Sequence, residues 1–353
     1  MALVYVYPSG DRRLHGVRRR VGRAEAMQVP AGSVLRQHAG DRRADRGSYA
    51  WLIAGPSWWH MTRVNGSLAA PWSAPGYRHG AMRGVDMHVH LPTGDWVCGC
   101  VGHYLDSVER YFGTRPEPRT VEDLVALYER LDLRGVLLGW DAEGREIDNA
   151  WLGSFCRESR FVGFGSVDPN RPDALDRLAR FPSLGLRGLK LHPTMQAFDP
   201  GDDRFLPFFD AAAELGLTLL THAGTSGLGA GEPGGQGLRI DLARPILLDR
   251  IAARHPRMPI VLAHVGWPWH LEAVAMALHK SNVYLDISGW KYRYLPEDVR
   301  REMPRRLRGQ FVFGTDYPMF DPEACLAEFE ALGLAEDVAE AILRDNAAAL
   351  LGL

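Results

Sequence analysis

From Gly84 onward, the order of apolar and polar positions switches repeatedly between two periods. Short runs rich in Val, Ile, Leu and Phe alternate with stretches whose apolar residues recur every three or four positions. Eight runs have strand character: VDMHVH (85–90), GVLLGWD (135–141), FVGFGSVD (161–168), LRGLKLHP (186–193), LTLLTHAG (217–224), PIVLAHVG (259–266), VYLDISG (283–289) and FVFGTDYP (311–318). Between them lie helical candidates such as DALDRLARF (173–181), LPFFDAAAELG (206–216), ARPILLDRIAARH (243–255) and HLEAVAMALHKS (270–281). Eight βα units in roughly 270 residues predict an α/β fold, a (β/α)8 TIM barrel spanning 82–353 as one domain. A doubly wound sheet would want a glycine-rich turn after its first strand, and HVHLPTG is not one.

Residues 1–81 follow neither period. The stretch DRRLHGVRRRVGRAEAMQVPAGSVLRQHAGDRRADRG punctuates charge with Gly and Pro and builds no apolar face. The expectation is a disordered N-terminal extension, or one translated from upstream of the natural start. Met82, directly ahead of RGVDMHVH, is the expected start; acids at Asp11, Glu25, Asp41 and Asp45 argue against a transit peptide.

Composition removes some function classes. The formal net charge of −2 gives no reason to expect a polyanion partner such as nucleic acid, and no run has the apolar length of a membrane span. A cytoplasmic protein is the default. Cys98, Cys100, Cys156 and Cys325 form no C-x-x-C pair and read as reduced thiols, with CGC at 98–100 a weak candidate for an extra ligand. Lysine is used three times, at Lys190, Lys280 and Lys291, among 41 basic residues, which reflects codon bias rather than a basic surface.

Active-site groups of such a barrel stand at the C-terminal tips of its strands. The tips carry His88 and His90 in the first run, His192 in the fourth, His222 in the fifth, His264 in the sixth and Asp316 in the eighth. Side chains two apart on a strand share a face, so Asp86, His88 and His90 should face inward while Val85, Met87 and Val89 meet the helices. The same parity pairs Lys190 with His192 and Gly314 with Asp316. Several imidazoles and a carboxylate converging on one cavity are costly to bury without partners, and a divalent cation satisfies them together. For Lys190 the competing role is a buried ion pair with Asp86.

DMHVH, GLKLHP, LLTHAG, VLAHVGWPW and FGTDYP, in this order on these strands, resemble the amidohydrolase superfamily. The similarity is to the branch with aminocarboxymuconate-semialdehyde decarboxylase, aromatic-acid decarboxylases and many metal-dependent hydrolases, and it covers about residues 84–353. The resemblance implies His88, His90, His222 and Asp316 as metal ligands, His264 and Asp316 as catalytic groups, and Lys190 and His192 as pocket-lining residues. It implies one divalent ion, with two ions bridged by a carboxylated Lys190 as the alternative; Zn2+ is the first choice, ahead of Mn2+, Fe2+ or Co2+. It also implies a small-molecule substrate and, because members are often dimers, a homodimer.

Pocket character adds a little more. The loop GTSGLGAGEPGGQGLRIDLARP after the fifth run is long and glycine-rich, like a mobile cover, and its Arg239 is a candidate for holding an acid group. Aromatics at the same end, Trp267 and Trp290 among them with Trp96, Trp140, Trp269, Tyr317 and Phe320, suggest a flat carbonyl substrate. The leading expectation is a metal-dependent hydrolase attacking an amide, ester, lactone or thioester carbonyl. The alternative is a non-oxidative decarboxylase of an aromatic or β-keto acid, and the third is a metal-binding barrel without turnover.

Overall fold

The computed structural model describes residues 82–353; the expectations for residues 1–81 lie outside them. Eight parallel strands follow one another around a single sheet in chain order. They are Gly84–His90, Leu133–Leu138, Val162–Ser166, Gly188–Leu191, Thr218–Thr221, Ile260–Leu262, Val283–Asp286 and Phe311–Val312, called strands one to eight below. Each of the eight sequence runs overlaps one of them. Strand eight closes onto strand one: the Met87 amide donates to Phe313 O at 2.9 Å, Asp316 N to His88 O at 2.9 Å, and His90 N to Tyr317 O at 2.8 Å. The closure therefore bolts the H-x-H tip directly to the backbone of Asp316. Among the described residues no helix is long and apolar enough to cross a membrane.

Local chemistry sets where the surrounding helices begin. Val121–Arg130 starts at Thr120, whose hydroxyl accepts from Asp123 N while the Asp123 carboxylate accepts from Thr120 N, a reciprocal cap. Pro322–Glu330 starts at Asp321, whose carboxylate accepts from the amides of Glu323 and Ala324. The four helical candidates all hold helix, although 243–255 begins as a 3-10 turn, Pro245–Leu248, before Asp249–Arg254. Strand two ends before Asp141, which instead opens a small hairpin with Arg145–Glu146.

Parity fails in strand one. Asp86 pairs with Gly135 and Val89 with Leu137, so Met87 and His88 together oppose Val136, as in a β-bulge. Two residues facing one let both point inward. Val85 and Met87 join Val136, Leu138, Val162, Phe164, Leu220, Val261 and Val312 in an apolar cluster inside the barrel, closed below by Ala347 and Leu351. Asp86 lies on the helix side of the bulge, where its carboxylate accepts from Tyr128 Oη at 2.6 Å, Thr315 Oγ1 at 2.6 Å, and the amides of His88 and Thr315. The expected inward Asp86 and its ion pair with Lys190 are thus corrected, while His88 and His90 do face inward.

Candidate metal centre

Above the apolar cluster, the strand tips line a cavity of about 320 Å³. Its floor holds His90, Lys190, His192, His222, His264 and Asp316. Trp96, Trp140, Trp267, Trp290 and Phe320 form walls, so five of the seven expected aromatics belong to it. Tyr317 lines a neighbouring groove, and Trp269 stands outside under the Arg244 guanidinium, 5.7 Å from the ring centroid.

Three donor atoms converge in the floor. Nε2 of His88 lies 3.5 Å and Nε2 of His90 lies 3.4 Å from Asp316 Oδ1, and donors of all three residues fall within 4.8 Å of one another. These separations exceed hydrogen-bonding distance. Ligand atoms about 2.1 Å from a tetrahedral ion are about 3.4 Å apart, so the spacing matches the edges of a coordination polyhedron. His88 Nδ1 contacts the Asp286 carboxylate at 2.8 Å, which puts the ring hydrogen there and leaves Nε2 with a lone pair. Lys190 Nζ donates to that lone pair at 3.2 Å. The Lys190 ammonium thus stands beside the three-donor group, and the donor set of imidazole nitrogen and carboxylate oxygen suits Zn2+ or a similar ion.

Burial dominates the electrostatics. Desolvation holds His88, His90, His192 and His222 well below the usual histidine range, so all four are neutral, the form that binds metal. Burial also lowers His264, partly offset by the Asp316 charge. Lys190 is pulled down to about 8 by burial against the opposing pull of Asp316 and Asp286. Asp316 is pushed up to about 6 and Asp286 to about 7, again by burial first.

The structure does not bring every expected residue to the cluster. His222 is in the floor, but its Nε2 donates to Thr225 O at 3.1 Å and its ring stacks on His192 at 3.9 Å, so it stands outside the three-donor group. Arg239 does not reach the cavity: it is exposed and paired with Asp241, two residues along its own loop. Cys98 is exposed and Cys100 buried, and neither joins the donor group. Conversely, Asp286, Ser288 and Thr225 touch His88, His264 and His222 and were not singled out by the sequence. For Asp286 and Ser288 the signal was present, since VYLDISG has the same two-residue inward spacing as the H-x-H run.

His264 completes the floor from strand six. It adopts a left-handed backbone, φ 55°, as does Asp316 at φ 69°, and such strain in non-glycine residues marks positions the surrounding structure holds in place. Its Nδ1 faces Ser288 O at 3.1 Å; a carbonyl only accepts, so the hydrogen is on Nδ1 and Nε2 is a free acceptor.

A family model described as amidohydrolase matches residues 85–353. No curated protein matches the chain. Among solved structures, an uncharacterized TIM-barrel protein from Bordetella bronchiseptica is 22% identical, with a TM-score of 0.65, 76% of this chain and 98% of that one covered. 5-Carboxyvanillate decarboxylase from Sphingomonas paucimobilis is 18% identical, with a TM-score of 0.57 over 77% and 100% of the two chains. A candidate 2-pyrone-4,6-dicarboxylic acid hydrolase from Pseudomonas putida is 21% identical, with a TM-score of 0.51 over 76% and 97%. At these identities the structures establish a shared barrel fold.

Proposed function

The chain belongs to the amidohydrolase family, and from that premise we propose that it is a metal-dependent hydrolase of a small, flat carbonyl substrate: an amide, ester, lactone or thioester. The observation that carries this reading is the convergence of His88, His90 and Asp316 at coordination-edge spacing beneath an aromatic-walled cavity. His88, His90 and Asp316 would hold one divalent ion, with Zn2+ the first choice. His222 would add a fourth donor on giving up Thr225 O. A divalent cation there supplies Lewis acidity, lowering the pKa of water toward about 7 and polarising a carbonyl.

The chain's own groups do the rest. Asp316 accepts the proton of the attacking water, and His264 Nε2, held open by the Nδ1 contact to Ser288 O, is a second acceptor beside it. Once protonated, His264 becomes a donor toward the carbonyl oxygen as charge develops there, or toward the leaving group. Trp96, stacked on His90 at 4.5 Å, and Trp140 fix one wall, while Trp267 and Trp290, perpendicular at 6.1 Å, fix the rim. Together these walls orient a planar substrate and keep bulk water out.

A second reading, non-oxidative decarboxylation of an aromatic or β-keto acid, is favoured by the charge of the cavity. Its lining includes Lys190 and Lys291 against one acid, Asp316, which suits a carboxylate-bearing substrate. Here a protonated Asp316 or His264 delivers hydrogen to carbon as carbon dioxide leaves. Incubating the Zn2+-loaded protein with a panel of esters, amides, lactones, thioesters and aromatic or β-keto acids separates the readings. Hydrolysis products without carbon dioxide support the first, and carbon dioxide release overturns it in favour of the second. No turnover across the panel overturns both and leaves a metal-binding barrel without catalysis.

A further inference from the structure

Strand seven ends at Asp286 and leads into Ile287-Ser288-Gly289, a run that touches two of the proposed functional histidines. Asp286 is fully buried and both of its oxygens are engaged. Oδ1 accepts from the Ser288 amide at 2.8 Å; Oδ2 accepts from the Ser288 hydroxyl at 2.6 Å and from His88 Nδ1 at 2.8 Å. A serine hydroxyl has one hydrogen, and the carboxylate takes it. The lone pairs of Ser288 Oγ then face His88 Nδ1 and His264 Nδ1, each at 3.1 Å, and Ser288 O faces the same His264 nitrogen at 3.1 Å. Each of these neighbours of the two Nδ1 atoms is an acceptor. Two glycines make room for this arrangement: a Cβ on Gly314 would collide with the Asp286 carboxylate, and one on Gly289 would lie 2.7 Å from His264 Nδ1.

We propose that Asp286 and Ser288 are positioning residues that impose one tautomer on two histidines at once, so that His88 offers its Nε2 lone pair to the cation and His264 offers its own to a proton. The proposal rests on the metal-ligand reading of His88 and the base reading of His264. The hydrogen-bond directions make it specific. Because Oδ1 must remain an acceptor for the Ser288 amide, Asp286→Asn has to place its NH2 where Oδ2 was, against His88 Nδ1. His88 Nδ1 must then accept, its hydrogen moves to Nε2, and the ligating lone pair is lost without any change in side-chain size. Ser288→Ala removes the hydroxyl contacts to both rings, but the backbone carbonyl of residue 288 stays on His264 Nδ1 and Asp286 stays on His88.

The test is 15N NMR of the histidine rings in the full-length, metal-free protein at pH 8, with signals assigned by their loss in His88→Gln and His264→Gln. In the wild type both rings should carry hydrogen on Nδ1. In Asp286→Asn the His88 ring should switch to Nε2–H and Zn2+ affinity should fall about 10- to 100-fold, as expected when a carboxylate behind a ligating histidine is lost. In Ser288→Ala the His88 signals should stay as in the wild type. A wild-type Nε2–H signal from either ring, or an unchanged His88 tautomer in Asp286→Asn, overturns the proposal. If Asp286→Asn fails to fold, the wild-type ring signals decide alone. The ring signals need neither metal nor substrate, so a failed hydrolase assay and a failed tautomer assignment are distinguishable outcomes.

Discussion

The two ends of the barrel interior are built from the same eight strands and share almost nothing chemically. The lower layer is Val, Leu, Met and Phe packed to exclusion of water, closed by Ala347 and Leu351. One to four residues further along the chain from these strand positions, the upper layer is five imidazoles, an ammonium and carboxylates. What changes between them is which cost is being met: the lower layer gains free energy by removing apolar surface from water, whereas the upper layer desolvates polar groups that only a cation or a substrate satisfies fully. Stability should therefore reside below and chemistry above, and substitutions can separate the two.

The largest effect is expected from Asp316→Asn, which keeps the shape of the side chain but removes the proton acceptor. Turnover should fall at least about 10³-fold while the melting transition stays cooperative; activity near wild type would break the assignment of Asp316. Phe164→Ala reverses the pattern. Its ring is fully buried in the lower layer against Gly188, so truncation should cost about 3–5 kcal/mol of unfolding free energy. Metal content of the folded fraction should be unaffected, and a concurrent loss of metal would show that the layers are not separable.

His222→Ala sharpens the upper layer itself. Because His222 Nε2 donates to Thr225 O and stands outside the three-donor group, its removal should weaken Zn2+ binding by about 10-fold, measured by competition with a chelator. A loss as large as that from His88→Ala would mean His222 is an equal member of the donor group. The smallest effect belongs to Arg239→Ala. This exposed side chain is paired with Asp241 away from the cavity, and KM should change by less than about twofold.

How much of this was legible in the sequence depends on whether the cause is local. The eight strands were readable because each is a short apolar run between turn residues, and the tip histidines because strand order and length alone place them at one end. The inward set of strand one was misread because a bulge is set by register against strand two, where Val136 faces both Met87 and His88. Nothing within VDMHVH announces that. Arg239 was misplaced because nearness in a loop does not give direction, and Asp241, two residues away, captures it. The orientation of His222 is decided by a backbone carbonyl three residues on, which no residue type encodes. Asp286 and Ser288 differ: their two-residue spacing is legible, but strand seven carries no histidine that would mark them as neighbours of a ligand.

The central claim is that His88, His90 and Asp316 form a cation site at the upper end of the barrel, and metal analysis tests it most directly. After incubation with Zn2+ and removal of free ion, the wild-type protein should retain about one ion per chain and His88→Ala should retain almost none. Stoichiometric metal in His88→Ala, or none in the wild type, would contradict the account.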